Sequence, residues 1–115
     1  MHEYALVAHL LEAVETQARQ LQARQVLAIN LVVGERSGIV DESLNFYFDM
    51  LAADTLAADA RLCVRRTPMR FDCRLCGEAY NPPPGDFHCP TCGEVGQLVD
   101  DASQMLIESI EIIRG

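Results

Sequence analysis

Residues 73–93 read CRLCGEAYNPPPGDFHCPTCG, and the folding of this stretch decides how the rest of the chain divides. Cys73 and Cys76 stand two residues apart internally, twelve residues follow, and Cys89 and Cys92 repeat the spacing. A Cys-x-x-Cys-Gly turn wraps into a tight knuckle with both thiolates aimed at one centre, and Gly77 and Gly93 allow the positive φ that such a turn often needs. Two knuckles then close a tetrahedral shell. The spacing predicts a structural zinc site on Cys73, Cys76, Cys89 and Cys92. A complete four-sulfur shell leaves no position open for water or substrate, which disfavours catalytic zinc.

Other chemistries for the same cysteines are weaker. Iron in this shell would resemble rubredoxin, whose Cys-Pro-x-Cys-Gly knuckle matches CPTCG, but the gap of twelve is shorter than that family uses and Trp is absent. Thioredoxin-like disulfide exchange is a poor use of two such pairs in one stretch. His88 could replace a thiolate, but with four cysteines available it reads as a neighbour of the site. The fifth cysteine, Cys63, reads as a small half-buried strand residue.

Outward from the cysteines, Pro68 to Gly96 holds all five prolines and four of the seven glycines, so no regular helix or strand can run far through it. The flanks are regular. Tyr4, Val7, Ala8, Leu11, Val14, Ala18 and Leu21 fall on one helical face over residues 4–22, with His9 beside the stripe. VLAINLVVG (26–34) alternates as a strand, more strongly apolar at Leu27, Ile29, Leu31 and Val33. Gly34 to Gly38 is a turn. Asp41 is placed to cap a second helix over 42–53, with Leu44, Tyr47, Phe48 and Leu51 inward. ARLCVRR (60–66) and MLIESIEII (105–113) are strands, the latter returning to the sheet begun by 26–33. The expected architecture is α+β, two helices packed on a small mixed β-sheet. Residues 1–68 and 97–115 form that domain, and 69–96 an inserted zinc-ribbon-like domain with its zinc on four cysteines.

With 115 residues and a net charge of −8, the chain is a single acidic domain of ordinary size, and its nine cations are all Arg. Such a field repels a phosphate backbone. The one basic cluster, Arg61, Arg65, Arg66, Arg70 and Arg74, is interleaved with Asp59 and Asp72 and reads as a mixed surface, so no nucleic-acid partner is expected. No apolar run is long enough to span a membrane and no secretory signal opens the chain, so a cytoplasmic location is expected. No Ser/His/Asp set, phosphate loop or open metal site is visible, which argues against an enzyme.

The MHE start, the N-terminal amphipathic helix, the acidic composition and the Cys-x-x-Cys, twelve-residue gap, Cys-x-x-Cys insertion together resemble the HypA/HybF family of hydrogenase nickel-incorporation proteins. The resemblance covers essentially the whole chain. It implies a nickel metallochaperone for hydrogenase maturation that binds Ni(II) at its N-terminus, cooperates with the GTPase HypB, and inserts nickel into the [NiFe] hydrogenase large subunit. Self-association as a dimer is a further expectation. Carried over by position, the nickel ligands fall on Met1, His2 and Glu3, and the zinc ligands on Cys73, Cys76, Cys89 and Cys92. Some relatives place a histidine just after a cysteine pair, whereas here Gly77 and Gly93 follow the pairs and only His88 is close. The alternative is a zinc-ribbon protein-interaction or transcription-associated module without a nickel role, which a basic groove would favour.

The opening residues suit that cargo. A free Met1 amine, the His2 amide and imidazole, and the Glu3 amide can close fused chelate rings in a square-planar nitrogen set, which Ni(II) favours. Binding must displace protons from the amine and the amides, so affinity should weaken in acid. The Glu3 carboxylate either orients the site or meets a partner; the sequence does not choose.

Overall fold

An apolar spacing of three and four residues reaches one side of the backbone only in a helix, and the first twenty residues follow that spacing. In the computed structural model, which describes residues 2–83 and 85–114 and His2 by its backbone alone, α1 spans His2–Gln20. It buries Val7, Leu10, Leu11, Val14 and Ala18. Tyr4, expected on the stripe, is instead exposed. The helix stops short of the expected residue 22 because Gln22 takes φ of 58°, a left-handed conformation in which a helix terminates.

β1 (Ala23–Gly34), β2 (Arg61–Thr67) and a last strand, Met105–Arg114, make a three-stranded sheet with β1 in the centre. The central place explains why β1 is so apolar. Its burial does not follow one face throughout: Ile29, Leu31 and Val33 are buried as expected, but Leu27 is exposed while Val26 and Ala28 are buried. Ala28 and Ile29 are buried in succession, so the two-residue alternation changes phase there, which no reading of the odd positions alone could foresee. Cys63 is half-buried in β2.

α2 spans Asp41–Ala52 and buries Leu44, Phe48 and Ala52. Its cap is Val40, not Asp41. Val40 is extended (φ −105°, ψ 132°) and makes no side-chain cap bond, while its carbonyl accepts the first helical hydrogen bond from the Leu44 amide at 3.0 Å. Asp41 is the first helical residue, where its charge favours the positive end of the helix dipole. The first turn of α1 meets the middle of α2, with Tyr4 edge-on to Tyr47 at 5.8 Å between ring centres.

The chain divides into two compact units, one of residues 1–32, 39–65 and 106–115, the other of 33–38 and 66–105. The second holds a small antiparallel sheet: β3 (Arg70–Asp72) lies between β4 (Ala79–Tyr80) and β5 (Gln97–Asp100), and β6 is the strand Met105–Arg114 already named. Its strands are two to four residues long. Phe71 pairs with Tyr80 on one side and Leu98 on the other, and stacks on Phe87 at 5.4 Å. Met69, Phe71, Cys73, Tyr80, Cys89 and Ala102 make up its core. Two of those six are cysteines.

Candidate metal centre

The two knuckles have the same backbone geometry. The Cys73 amide donates to the Glu78 carbonyl at 2.8 Å and the Gly77 amide to the Cys73 carbonyl at 2.9 Å; Cys89, Glu94 and Gly93 repeat both bonds at the same distances. Gly77 (φ 74°) and Gly93 (φ 79°) both occupy the left-handed region, where a side chain would be strained. The first knuckle is the turn between β3 and β4. The second is closed by a bridge between His88 and Val95. In each, the first cysteine is buried and the second exposed.

Closing the knuckles on each other brings all four Sγ atoms within 4.8 Å of one another. Between the knuckles, Cys73 stands 3.3 Å from Cys92 and Cys76 stands 3.6 Å from Cys89. Sulfurs bound tetrahedrally at about 2.3 Å from a zinc ion stand about 3.8 Å apart, so the shell is of the right size for one such ion. Thr91 donates to the Glu78 carboxylate at 3.0 Å, a side-chain tie from one knuckle to the other.

The thiols also report crowding. The Cys76 amide, then the Cys92 thiol, pull Cys73 down to about 6. The Glu78 amide draws Cys76 down, but its bond to Cys73, the partial desolvation of its sulfur and Cys89 outweigh that and push it up to about 12. Cys92 is also raised: the Glu94 amide opposes, and Cys73, burial and Cys89 prevail. Cys73 ionises at the cost of Cys76 and Cys92, and a cation among them would offset that repulsion.

His88 lies outside the shell. Its Nδ1 pairs with the Asp86 carboxylate at 2.9 Å and its side chain is well exposed. His9 is exposed on α1. Of the expected nickel residues, Met1 and the His2 side chain lie outside the described residues. Glu3 is described: its carboxylate accepts a hydrogen bond from the Val40 amide at 3.3 Å, at the start of α2. Arg65 and Arg70, from the basic cluster, form ion pairs with Glu108 (2.8 Å) and Asp72 (3.2 Å).

The profile of a family described as "Hydrogenase/urease nickel incorporation, metallochaperone, hypA" matches residues 1–112. The chain belongs to the HypA family. It is 38% identical over 112 residues to the hydrogenase maturation factor HypA of Dehalococcoides mccartyi, covering 97% of this chain and 94% of that protein. It is 34% identical to the HypA of Caldanaerobacter subterraneus subsp. tengcongensis, covering 97% and 99%. The fold matches the solution structure of the Ni metallochaperone HypA from Helicobacter pylori with a TM-score of 0.69 at 22% identity, over 98% of both chains. A second HypA solution structure matches with a TM-score of 0.73 at 24% identity, over 100% of this chain and 98% of that one.

HypA proteins are metallochaperones, not enzymes, and work in nickel incorporation for hydrogenase and urease. The four cysteines form a metal-binding cluster. No helix among the described residues is long and apolar enough to cross a membrane. The family description names urease beside hydrogenase, a breadth the sequence reading did not include. That reading also passed over Glu78 and Glu94, whose carbonyls close the two knuckles. The signal was present, since both knuckles read Cys-x-x-Cys-Gly-Glu.

Proposed function

We propose that this chain carries Ni(II) on Met1, His2 and Glu3, holds a structural Zn(II) on Cys73, Cys76, Cys89 and Cys92, and, with a HypB-type GTPase in the cytoplasm, delivers nickel to a [NiFe] hydrogenase large subunit. The observation that carries the nickel assignment is the start of α1 at His2. The first four amides of a helix have no intrahelical acceptor, so the His2 and Glu3 amides can exchange protons for a metal without unmaking the helix. Two amidates also cancel the charge of the divalent ion, which removes the penalty for a cation at a helix N-terminus. The Glu3 carboxylate is turned to Val40, which favours a Glu3 that binds through its backbone nitrogen and anchors the site through its side chain.

Zinc is favoured over nickel at the cysteines because a closed four-thiolate shell suits a resident tetrahedral ion. Bound there, zinc supplies cross-linking charge, and the chemistry of cargo exchange stays with the N-terminal nitrogens.

Nickel titration of untagged protein, followed by visible absorption, tests the assignment. One equivalent should bind with a square-planar spectrum. His2→Ala should abolish this with zinc and helix content unchanged, and one extra residue ahead of Met1 should act nearly the same. His9→Ala and His88→Ala should keep the site. Because Lys is absent, the α-amine is the only aliphatic amine in the chain, so nickel should also protect it from an amine-reactive label. Unchanged affinity and spectrum in His2→Ala would refute the assignment.

A further inference from the structure

Close to the opening motif, the two helices expose a set of apolar side chains. Tyr4 (45% exposed) meets Tyr47 edge-on, Tyr47 meets Phe46 at 5.3 Å, and Phe46 (63% exposed) shares a helix face with Met50 (50% exposed) one turn on. These side chains form one strip, and the Glu3–Val40 hydrogen bond ties the two helices that carry it. Phe46 and Met50 are the wrong residues for a solvated helix face, and neither packs into the core. Exposed aromatic and methionine side chains on adjacent turns are the composition of a recognition surface.

The charges around the strip are of one sign. Glu42 and Asp49 are exposed on α2 beside Phe46 and Met50, Asp41 begins the helix, and α2 contains no cation. In α1 the sole guanidinium, Arg19, sits in the last turn and pairs with Glu15 at 3.0 Å. A second copy of this face would set acid against acid, and an anionic membrane would be repelled in the same way. What fits is the opposite pattern.

We infer that the Tyr4–Tyr47–Phe46–Met50 strip is a docking surface for a protein partner that presents apolar side chains within a Lys/Arg-rich border, most simply one face of a basic amphipathic helix. Phe46 and Met50 are its anchors, and Glu42 and Asp49 set the orientation and the salt dependence. The inference does not require the nickel assignment, because it rests on residues that hold no metal.

The test uses a fluorescein-labelled Leu/Lys amphipathic peptide of about five helical turns and a Leu/Glu peptide of the same pattern, titrated with full-length zinc-loaded protein and read by anisotropy. The Leu/Lys peptide should bind with an affinity that falls as salt is raised, and the Leu/Glu peptide should not bind. Phe46→Ala combined with Met50→Ala should weaken binding by about tenfold or more, the scale of a lost anchor. Glu42→Gln with Asp49→Asn should flatten the salt dependence while leaving the fold intact. Leu106→Ala, which removes an equally exposed apolar side chain on β6, should change nothing. Equal binding by the Phe46/Met50 variant, absence of binding by the wild type, or equal affinity for the Leu/Glu peptide each overturns the inference. Nickel stoichiometry measured on the same samples reports separately on the N-terminal site.

Discussion

The helical unit and the cysteine lobe are held together by different means. In the first, Val7, Val14, Ile29, Leu31, Leu44 and Phe48 are removed from water on two helices and a three-stranded sheet, and the hydrophobic effect suffices. In the second, six residues make the core, two of them thiols, and the strands are two to four residues long. Apolar burial on that scale cannot offset the entropy of ordering residues 33–38 and 66–105. A metal can, since apparent binding energies of structural zinc in small domains are about 10–16 kcal/mol. On the zinc assignment proposed above, one chain combines a unit that folds by exclusion of water with a unit that folds by coordination.

The strongest way to break this contrast is to remove the metal. Cys73→Ala or Cys92→Ala should take the zinc content from one equivalent to below half and unfold the lobe, with the far-ultraviolet helix signal kept. A joint loss of helix and metal would mean that the units do not fold separately. The opposite experiment is Phe48→Ala, which empties a buried site on α2 and should cost about 3–5 kcal/mol in denaturant unfolding followed through the helices. Zinc content should be unaffected.

Finer cuts fall within the lobe. Gly93→Ala puts a Cβ on a residue at φ 79°, at an expected cost of about 1–2 kcal/mol, visible as faster zinc loss to a competing chelator. The space around Gly93 is open, so any larger effect would have to come from the backbone alone. Smallest is the effect of Asp101, whose carboxyl is held below the usual range by the Ser103 hydroxyl and then the Ser103 amide. A depressed carboxyl contributes stability above its unfolded value of about 3.9, and loses it as pH falls through the lower folded value. Melting of Asp101→Asn and wild type should therefore differ at neutral pH and converge in acid.

What the sequence disclosed differs between the units for the same physical reason. Cys73, Cys76, Cys89 and Cys92 were legible because two-residue spacings fix local geometry, and the pairing of the knuckles follows once four thiolates need one ion. The helices were legible from period, but not their ends: Asp41 looked like a cap by residue type, whereas the position belongs to Val40, whose amide is taken by Glu3, 37 residues earlier. Leu27 failed for a related reason, since alternation assumes a strand that keeps its phase. β5 was missed because QLVD lacks a period and becomes a strand only by pairing with β3. The cap and β5 thus turn on contacts distant in sequence, which no local period contains.

The burial pattern of the cysteines has a kinetic consequence. Cys73 and Cys89 are buried residues while Cys76 and Cys92 are exposed ones, so an ion in the shell would be less well covered on the side of the second pair. An incoming chelator or thiol can replace the two outer sulfurs in succession while the inner two still hold, and no global opening is needed to begin exchange. Affinity is set by all four ligands, but lifetime is set by the outer pair. A centre of that kind would combine four-ligand affinity with exchange on the time scale of its weakest edge.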